Sequence, residues 1–264
     1  MTADSILEIR NVSKSFDIAG GKKLLAVDDI SFDVERNSIC VLLGPSGCGK
    51  STVLRMMAGL ETPTSGAVMI GGHAVDGPGQ DRGMVFQAYT SFDWLSVQKN
   101  VEFGMKINGV PAAERRERAA HFTELVGLGK FSEAYPSQLS GGMRQRVAIA
   151  RTLANGPEVL LMDEPFGALD AETRWLMQEL MIDVAEKTNT TMVVVTHDLE
   201  EAIFLADKIV FLSSHPGRLK EEIVPDFKQG RRIGDKEHVV KLDGYGNLEA
   251  HLMRLMREEG RHAA

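Results

Sequence analysis

The chain has 264 residues, of which 43% are hydrophobic, enough for an α/β domain with a large core and against global disorder. Its formal net charge of −7 disfavours binding to nucleic-acid backbones, so we expect no nucleic-acid partner. The two cysteines, Cys40 and Cys48, are too few for a disulfide framework and indicate reduced thiols in a cytoplasmic protein.

Membrane-directed segments are not evident in the sequence. The N-terminus has no basic stretch followed by an apolar one, so we expect no signal peptide. No uncharged apolar run reaches the ~20 residues that a membrane-spanning helix needs. If the protein works at a membrane, we expect it to be held there by a partner.

The first part of the chain alternates short elements. Residues 7–34 indicate short strands and turns, 38–43 a buried strand, and 49–58 a helix that Gly59 ends. Short strands are predicted around residues 68–70 and 83–86. Residues 87–155 are mostly helical in pattern, with helices predicted over 112–126 and 140–154.

An α/β alternation returns after Pro157. Strands are predicted at 159–162, 191–195 and 209–212, and helices at 172–187 and 199–206. Such alternation predicts a parallel sheet that is covered on both faces and binds ligands at the carboxyl ends of its strands. Beyond residue 213 we expect a docked extension with an amphipathic helix marked by Leu248, Leu252, Leu255 and Met256.

A glycine-rich loop between a predicted strand and helix carries the strongest chemical signal. We call it the phosphate loop; its residues are Gly44, Pro45, Ser46, Gly47, Cys48, Gly49, Lys50, Ser51 and Thr52. They fit the pattern G-x-x-x-x-G-K-[ST], in which backbone N–H groups and a helix N-terminus bind phosphates. Lys50 is predicted to reach the β- and γ-phosphates, and Ser51 to offer its hydroxyl to Mg²⁺. A chance glycine-rich turn is the alternative.

Two acidic residues follow the apolar strand at 159–162. Asp163 is placed to hold Mg²⁺, directly or through water, and Glu164 to orient and deprotonate an attacking water. A solvated acidic turn is the alternative for this pair alone. Together with the phosphate loop, the pair predicts a nucleotide hydrolase.

A second anion site is predicted at the start of the helix over 140–154. Ser140, Gly141 and Gly142 offer a hydroxyl and free N–H groups there. A plain helix cap is the alternative, but glycines in a first turn cost stability without a functional reason.

With these motifs, residues 7–212 resemble the ATP-binding-cassette (ABC) ATPases. Residues 139–143, LSGGM, are similar to the family signature. The resemblance implies that Gln87 senses Mg²⁺ and a transmembrane partner, that Asp170 lies in the D-loop, and that His197 contacts the γ-phosphate. It also implies that Phe16 stacks on adenine, although core packing would be the simpler role for Phe16 alone, and a hydrogen-bonded strand end for His197 alone.

The resemblance implies an α/β fold: a P-loop NTPase core with a mixed sheet flanked by helices, an N-terminal antiparallel β subdomain and an inserted helical subdomain. The expected boundaries are 1–213 for the ATPase domain, with 1–86 and 157–213 as the core and 87–156 as the helical subdomain, and 214–264 for the extension. Two copies would pair head to tail, so that the phosphate loop of one and the signature of the other hold each ATP. Closure of the dimer would then move transmembrane permease subunits.

Three departures from the family pattern stand out. Met143 ends the signature where glutamine is commonest, which removes side-chain hydrogen bonds. Asn37 replaces a usual glycine, a mild change because Asn tolerates positive φ. Phe92, Asp93 and Trp94 stand where Leu-Pro-Trp is usual, in a region that meets the permease, and we expect Phe92 and Trp94 to be exposed there.

The stretches 196–202 and 214–218 are similar to the nitrate, sulfonate and taurine import branch of the family. The branch implies a peripheral protein on the cytoplasmic face of the inner membrane, served indirectly by a periplasmic or lipoprotein substrate-binding protein. A non-transport ABC ATPase and an importer of another substrate class are the alternatives. Repair-type insertions and a second cassette are not visible in the sequence.

Overall fold

The computed structural model describes residues 5–88 and 90–262 and places their strands in two sheets. The smaller, antiparallel sheet has the order β2-β1-β4-β5; the larger has the order β10-β9-β3-β8-β7-β6. The strands are β1 Ser5–Ile18, β2 Lys22–Glu35, β3 Ile39–Leu43, β4 Ser65–Ile70, β5 His73–Ala74, β6 Arg82–Val85, β7 Val159–Asp163, β8 Thr191–Thr196, β9 Lys208–Leu212 and β10 Leu219–Ile223. The α-helices are α1 Lys50–Met57, α2 Val97–Ile107, α3 Ala112–Leu125, α4 Gly141–Leu153, α5 Ala171–Thr188, α6 Leu199–Leu205, α7 Lys236–Val239 and α8 Tyr245–His262.

The larger sheet is the predicted P-loop NTPase core. Strands β9, β3, β8, β7 and β6 run parallel, and β10 is antiparallel to β9. Every residue of β3, β7 and β8 is buried, because helices or the smaller sheet cover both faces. The carboxyl ends of these strands therefore meet at one edge of the sheet, where the phosphate loop and the acidic pair begin.

The smaller sheet corrects one expectation about the N-terminal segment. The short strands predicted over 7–34 are two strands of 14 residues each, paired with register shifts at several points. Asn11 and Asp29 have left-handed backbones, with φ of 48° and 50°, and their side chains share a hydrogen bond of 2.9 Å. These irregularities break the apolar alternation without ending the strands, so the pattern suggested several short elements.

Helices α2, α3 and α4 form the inserted helical unit between β6 and β7. The side-chain oxygen of Ser140 accepts the N–H of Met143, so Ser140 is the N-cap of α4, at the helix start that the sequence predicted. Buried Asn100 on α2 accepts the N–H of Phe92 and donates to the carbonyl oxygens of Phe92 and Leu95. Asn100 thereby fixes the segment that joins the core to the helical unit.

The segment after residue 213 packs on the core. Strand β10 extends the larger sheet, and Leu252 and Leu255 of α8 are buried in the same cluster as the sheet and α6. The Glu259 carboxylate accepts the N–H and the hydroxyl of Ser214 at 2.7 and 2.9 Å. The boundary at residue 213 stays a prediction, since β10 belongs to the same sheet as the strands before it.

Asn37 has φ of 57°, so the residue that replaces the usual glycine takes the left-handed conformation. Its side-chain type tolerates that conformation at low cost. No helix among residues 5–88 and 90–262 is both long and apolar enough to cross a bilayer.

Candidate functional site

The phosphate loop connects β3 to α1 and needs glycine for its shape. Gly47 and Gly49 have φ of 79° and 95°, which other residues rarely adopt. A Cβ on Gly49 would lie 2.9 Å from Val27 Cγ2 and 3.0 Å from the Ala26 carbonyl oxygen. The loop is thus held closely against β2, and its open side faces the carboxyl edge of the sheet.

Lys50 and Ser51 begin α1 inside this loop. The Lys50 ammonium is buried and donates to the carbonyl oxygens of Gly44 and Pro45 at 2.8 and 2.9 Å. The Ser51 hydroxyl donates to Asp163 Oδ1 at 2.8 Å. The loop and the acidic strand end, 112 residues apart in sequence, therefore meet at the carboxyl edge of the sheet.

The other loop residues surround this point. Cys48 is buried, and burial raises the pKa of its thiol, which makes it an inert packing group. Ser46 is exposed on the loop, Pro45 is half-buried, and Thr52 lies in the first turn of α1.

Glu164, Gln87 and His197 meet beside the acidic strand end. Glu164 Oε1 lies 3.2 Å from His197 Nδ1, and Gln87 Nε2 donates to Glu164 Oε2 at 3.4 Å. Glu164 has a left-handed backbone with φ of 44°, which is unfavourable for a non-glycine residue. Such strain persists where the surrounding structure holds the residue, and it is commonest at functional sites.

Phe16 lies near the end of β1 in the smaller sheet. Its ring is half-buried against the core, and the Lys14 ammonium lies 5.0 Å from the ring centre. The hairpin pairs Phe16 with Leu24, whose side chain is exposed. The ring therefore has one covered side and belongs to an apolar surface of the hairpin.

The signature residues lie apart from the phosphate loop. Within the described part of the chain, Ser140, Gly141 and Gly142 make no hydrogen bond to that loop. A Cβ on Gly142 would lie 2.5 Å from Thr173 Cγ2, so this glycine allows α4 to approach α5 closely. The residues predicted to form a second anion site therefore lie on the helical unit, with Ser140 exposed and Gly142 buried against α5.

Asp170 caps α5 rather than pointing to another site residue. Its carboxylate accepts the N–H of Thr173 at 3.0 Å, and this hydrogen bond lowers the pKa of Asp170. The segment predicted to be the D-loop thus ends at a defined helix start.

The sequence did not predict a buried polar group behind His197. Glu201 on α6 is 3% exposed, and burial, together with the nearby Asp198 charge, raises the pKa of Glu201 to about 7. The only sequence signal was a polar residue at a helix position that faces the core. Another unpredicted neighbour is His215, whose Nε2 lies 3.4 Å from where a Cβ on Gly47 would stand.

Comparisons with known proteins agree with this geometry. Residues 27–167 match the family model described as ABC transporter. The chain is 49% identical to the nitrate import ATP-binding protein NrtD of Synechocystis sp. over 217 residues, 82% of this chain and 81% of that protein. It is 45% identical to the taurine import ATP-binding protein TauB of Jannaschia sp. over 250 residues, 95% of this chain and 93% of that protein.

A solved structure has the same fold. The dimeric bacterial ABC transporter cassette MJ0796 superposes with a TM-score of 0.73 at 32% identity, covering 83% of this chain and 98% of that one. The same cassette has also been solved as a dimer bound to ADP and Pi, with a TM-score of 0.72. This chain therefore belongs to the ABC transporter family, as an ATP-binding cassette that hydrolyses ATP.

Proposed function

We propose that this cassette is the ATP-hydrolysing subunit of an importer and that its substrate is a small anion such as nitrate, a sulfonate or taurine. The observation that carries the proposal is the meeting of Lys50, Asp163, Glu164 and His197 at one edge of the sheet. The similarity to nitrate and taurine import subunits supports the transport role and the substrate class.

The nucleotide would lie along the phosphate loop. Backbone N–H groups of residues 44–52 and the N-terminus of α1 bind the phosphates, and the Lys50 ammonium binds the β- and γ-phosphates. Phe16 covers the adenine with the free side of its ring, which matches its half-buried position on the hairpin.

The residues beside the loop fit a magnesium ion. The Ser51 hydroxyl and the Asp163 carboxylate are hard oxygen donors in contact at 2.8 Å, with Gln87 assigned as a third donor by the family resemblance. Among the described residues there is no group of three or more His, Cys, Asp or Glu side chains that could hold a metal. Mg²⁺ usually takes few protein ligands and fills its shell with water and substrate phosphates, so oxygen donors from Ser51 and Asp163 would be sufficient for it. Bound there, Mg²⁺ would neutralise phosphate charge.

Hydrolysis would depend on Glu164 and its two neighbours. The Glu164 carboxylate orients a water for in-line attack on the γ-phosphate and accepts its proton. His197 Nδ1 lies 3.2 Å from Glu164 Oε1, and the imidazolium form, with an N–H on both nitrogens, would donate to Glu164 and to the γ-phosphate together. Gln87 holds the second oxygen of Glu164, so the carboxylate is positioned from both sides.

The exposed signature supports a head-to-tail dimer. Ser140, Gly141 and Gly142 of one copy would bind the γ-phosphate held by the phosphate loop of the other, with Asp170 at the interface. ATP shifts the equilibrium towards the closed dimer only if it binds that state more tightly. Contacts that the signature makes only in the closed dimer provide this difference.

A groove between β6 and helices α2 and α4 is the proposed dock for the permease. It has a volume of about 530 Å³ and is lined by Phe86, Phe92, Phe103, Ile107 and Arg151, among others. Trp94, 73% exposed, lies beside it with its ring centre 5.3 Å from that of Phe92. Phe92 itself is half-buried against Phe103 and Arg151, so the expectation that it is exposed was wrong; the neighbouring rings shield it.

Docking at this groove would hold the chain on the cytoplasmic face of the membrane as a peripheral subunit. A substrate-binding protein on the other side would deliver the anion to the permease. Exposed apolar side chains around the groove, including Ile107 and Trp94, support a protein partner there.

The first test is ATP hydrolysis by the purified chain and by two variants. We expect Lys50→Ala to abolish turnover through loss of phosphate binding. We expect Glu164→Gln to lower kcat by at least about 10²-fold while keeping ATP affinity, because only the proton acceptor is lost. Glu164→Gln should also form an ATP-dependent dimer in size-exclusion chromatography. Normal turnover by Glu164→Gln would refute the role of Glu164.

A further inference from the structure

A lysine from the segment after residue 213 is buried next to the catalytic cassette. Lys236, at the start of α7, is 6% exposed, and its ammonium donates to Gln178 Oε1 at 3.0 Å. The ammonium also lies 5.0 Å from the Trp175 ring centre and 3.6 Å from the Glu200 carboxylate. Burying an ammonium costs free energy unless such partners offset it. These partners therefore determine the position of the Lys236 ammonium.

Gln178 on α5 connects Lys236 to Glu201 on α6. Its Nε2 donates to Glu201 Oε2 at 3.3 Å while its oxygen accepts from Lys236. Gln178 and Glu201 are 1% and 3% exposed, so water does not compete for these bonds. The Gln178 amide oxygen faces Lys236 and its nitrogen faces Glu201. Because these two partners differ in kind, they determine a single orientation of the amide.

Glu201 connects to the loop that carries His197. Its backbone N–H donates to Asp198 Oδ1 at 3.1 Å, and the Asp198 N–H donates to Thr196 Oγ1 at 3.1 Å. Glu201 also lines a cavity of about 70 Å³ together with Glu164 and His197. The residues on either side of His197 are thus tied to the helix that Gln178 and Lys236 hold.

We propose that Lys236, acting through Gln178 and Glu201, positions the loop of His197 for ATP hydrolysis. Lys236 is a positioning residue: it touches neither the phosphate loop nor Glu164 in the described contacts. The segment after residue 213 would then contribute to ATP hydrolysis as well as to packing. The inference rests on the proposed roles of Glu164 and His197.

The test compares Lys236→Met with Lys241→Met in the full chain. Lys241 lies two residues after α7, and its side chain is 73% exposed, so its loss is the matched control. We expect Lys236→Met to lower kcat about 10-fold, since small displacements of reacting groups have effects of that order or larger. The KM for ATP should stay within about 2-fold, because the phosphate loop is untouched. Lys241→Met should behave as the parent chain.

Two further measurements separate positioning from general damage. In the Glu164→Gln background, Lys236→Met should leave the ATP-dependent dimer unchanged. Gln178→Met breaks this series of contacts at its middle without changing any residue of α7, and it should reproduce the loss in kcat even if Lys236→Met does not fold.

A folded variant with parental kcat would overturn the inference. So would a loss of kcat accompanied by an equal loss of ATP affinity or dimer formation. If the parent chain itself does not hydrolyse ATP, or Glu164→Gln turns over normally, the proposed function fails before Lys236 is tested.

Discussion

Single residues in this chain adopt conformations that their neighbours must hold. Glu164 keeps φ of 44° while its N–H donates to the Val195 carbonyl oxygen at 3.0 Å. Asn37 keeps φ of 57° while its N–H donates to Thr191 Oγ1 at 3.0 Å. In both cases a hydrogen bond from the adjacent strand β8 holds a backbone that the residue type alone would avoid. The residue type of Asn37 predicts such tolerance, whereas nothing in the sequence predicts it for Glu164.

The buried carboxyl of Glu201 predicts a pH dependence of stability. Burial raises the pKa of Glu201 from 4.5 to about 7, so the folded state holds this proton more tightly than the unfolded chain. Its contribution to stability is fully present below the unfolded pKa and is lost as the pH rises through the folded pKa. Glu201→Gln removes the titration and should gain stability relative to the parent, by up to about 3 kcal/mol, between pH 5 and pH 8.

Urea unfolding of both proteins at the two pH values measures this difference. Thr188→Val, a change at a partly buried site without a titratable group, is the control for the pH dependence of the rest of the chain. If the free energies of unfolding of the parent and of Glu201→Gln change equally between the two pH values, the pKa of the folded Glu201 carboxyl is not raised.

Among the elements, helix α6 beside the site is stabilised by packing against other elements more than by its own helix propensity. Helix α6 has only seven residues, too few to be stable alone, and it is covered by α8 and by the sheet. Lys228 donates to the carbonyl oxygens of Phe204 and Ala206 at the end of α6, at 2.7 and 2.9 Å. The C-terminal segment thus satisfies the last carbonyls of the helix that follows His197.

Helix α8 should contribute measurably to the stability of the whole fold. Leu252 is fully buried against the core, whereas its neighbour Met253 is 40% exposed. We expect Leu252→Ala to lower the free energy of unfolding by about 2–4 kcal/mol, because it leaves a cavity. Met253→Ala should change it by no more than about 0.5 kcal/mol. Chemical denaturation of both variants gives the comparison, and equal small effects would mean that α8 is not part of the cooperative core.

At the scale of the whole molecule, the two predicted anion sites lie on different units of one chain. The phosphate loop belongs to the sheet, and the signature belongs to the helical unit, with no hydrogen bond between them in the described residues. In the proposed head-to-tail dimer a second copy would bring them together, and dimer closure and hydrolysis would then be interdependent. The groove proposed for the permease lies between the same two units. A change in the relative position of the units would therefore change the surface that a partner contacts there.

The exposed Trp94 predicts a partner contact that is independent of catalysis. Trp94→Ala should weaken co-purification with the permease, by about 2 kcal/mol or more if Trp94 is an anchor of the interface. The ATPase rate of the isolated chain should not change, because Trp94 contacts none of the proposed catalytic residues. Val224→Ala is the control, because Val224 is an apolar residue that is 58% exposed near β10, away from the groove. Unchanged assembly of Trp94→Ala would refute the dock.

Local motifs made much of the fold and candidate site predictable. The phosphate loop, the acidic pair and the Ser140 cap are short segments whose chemistry depends on residues adjacent in the chain. The buried strands β3, β7 and β8 were predictable because they are apolar throughout. Strand β10 was not, because this edge strand has three consecutive charged residues and therefore no apolar run.

By itself, the sequence determined the cassette class and predicted which residues handle phosphate, since the glycines and Lys50 lie at fixed spacings within one loop. Only the tertiary structure decided which distant residues share one site: Ser51 with Asp163, His197 with Glu164, and Lys236 with Gln178 and Glu201. The reason is physical. Contacts between residues far apart in sequence depend on how strands are ordered and helices packed, and no local pattern encodes the partner of a buried polar side chain.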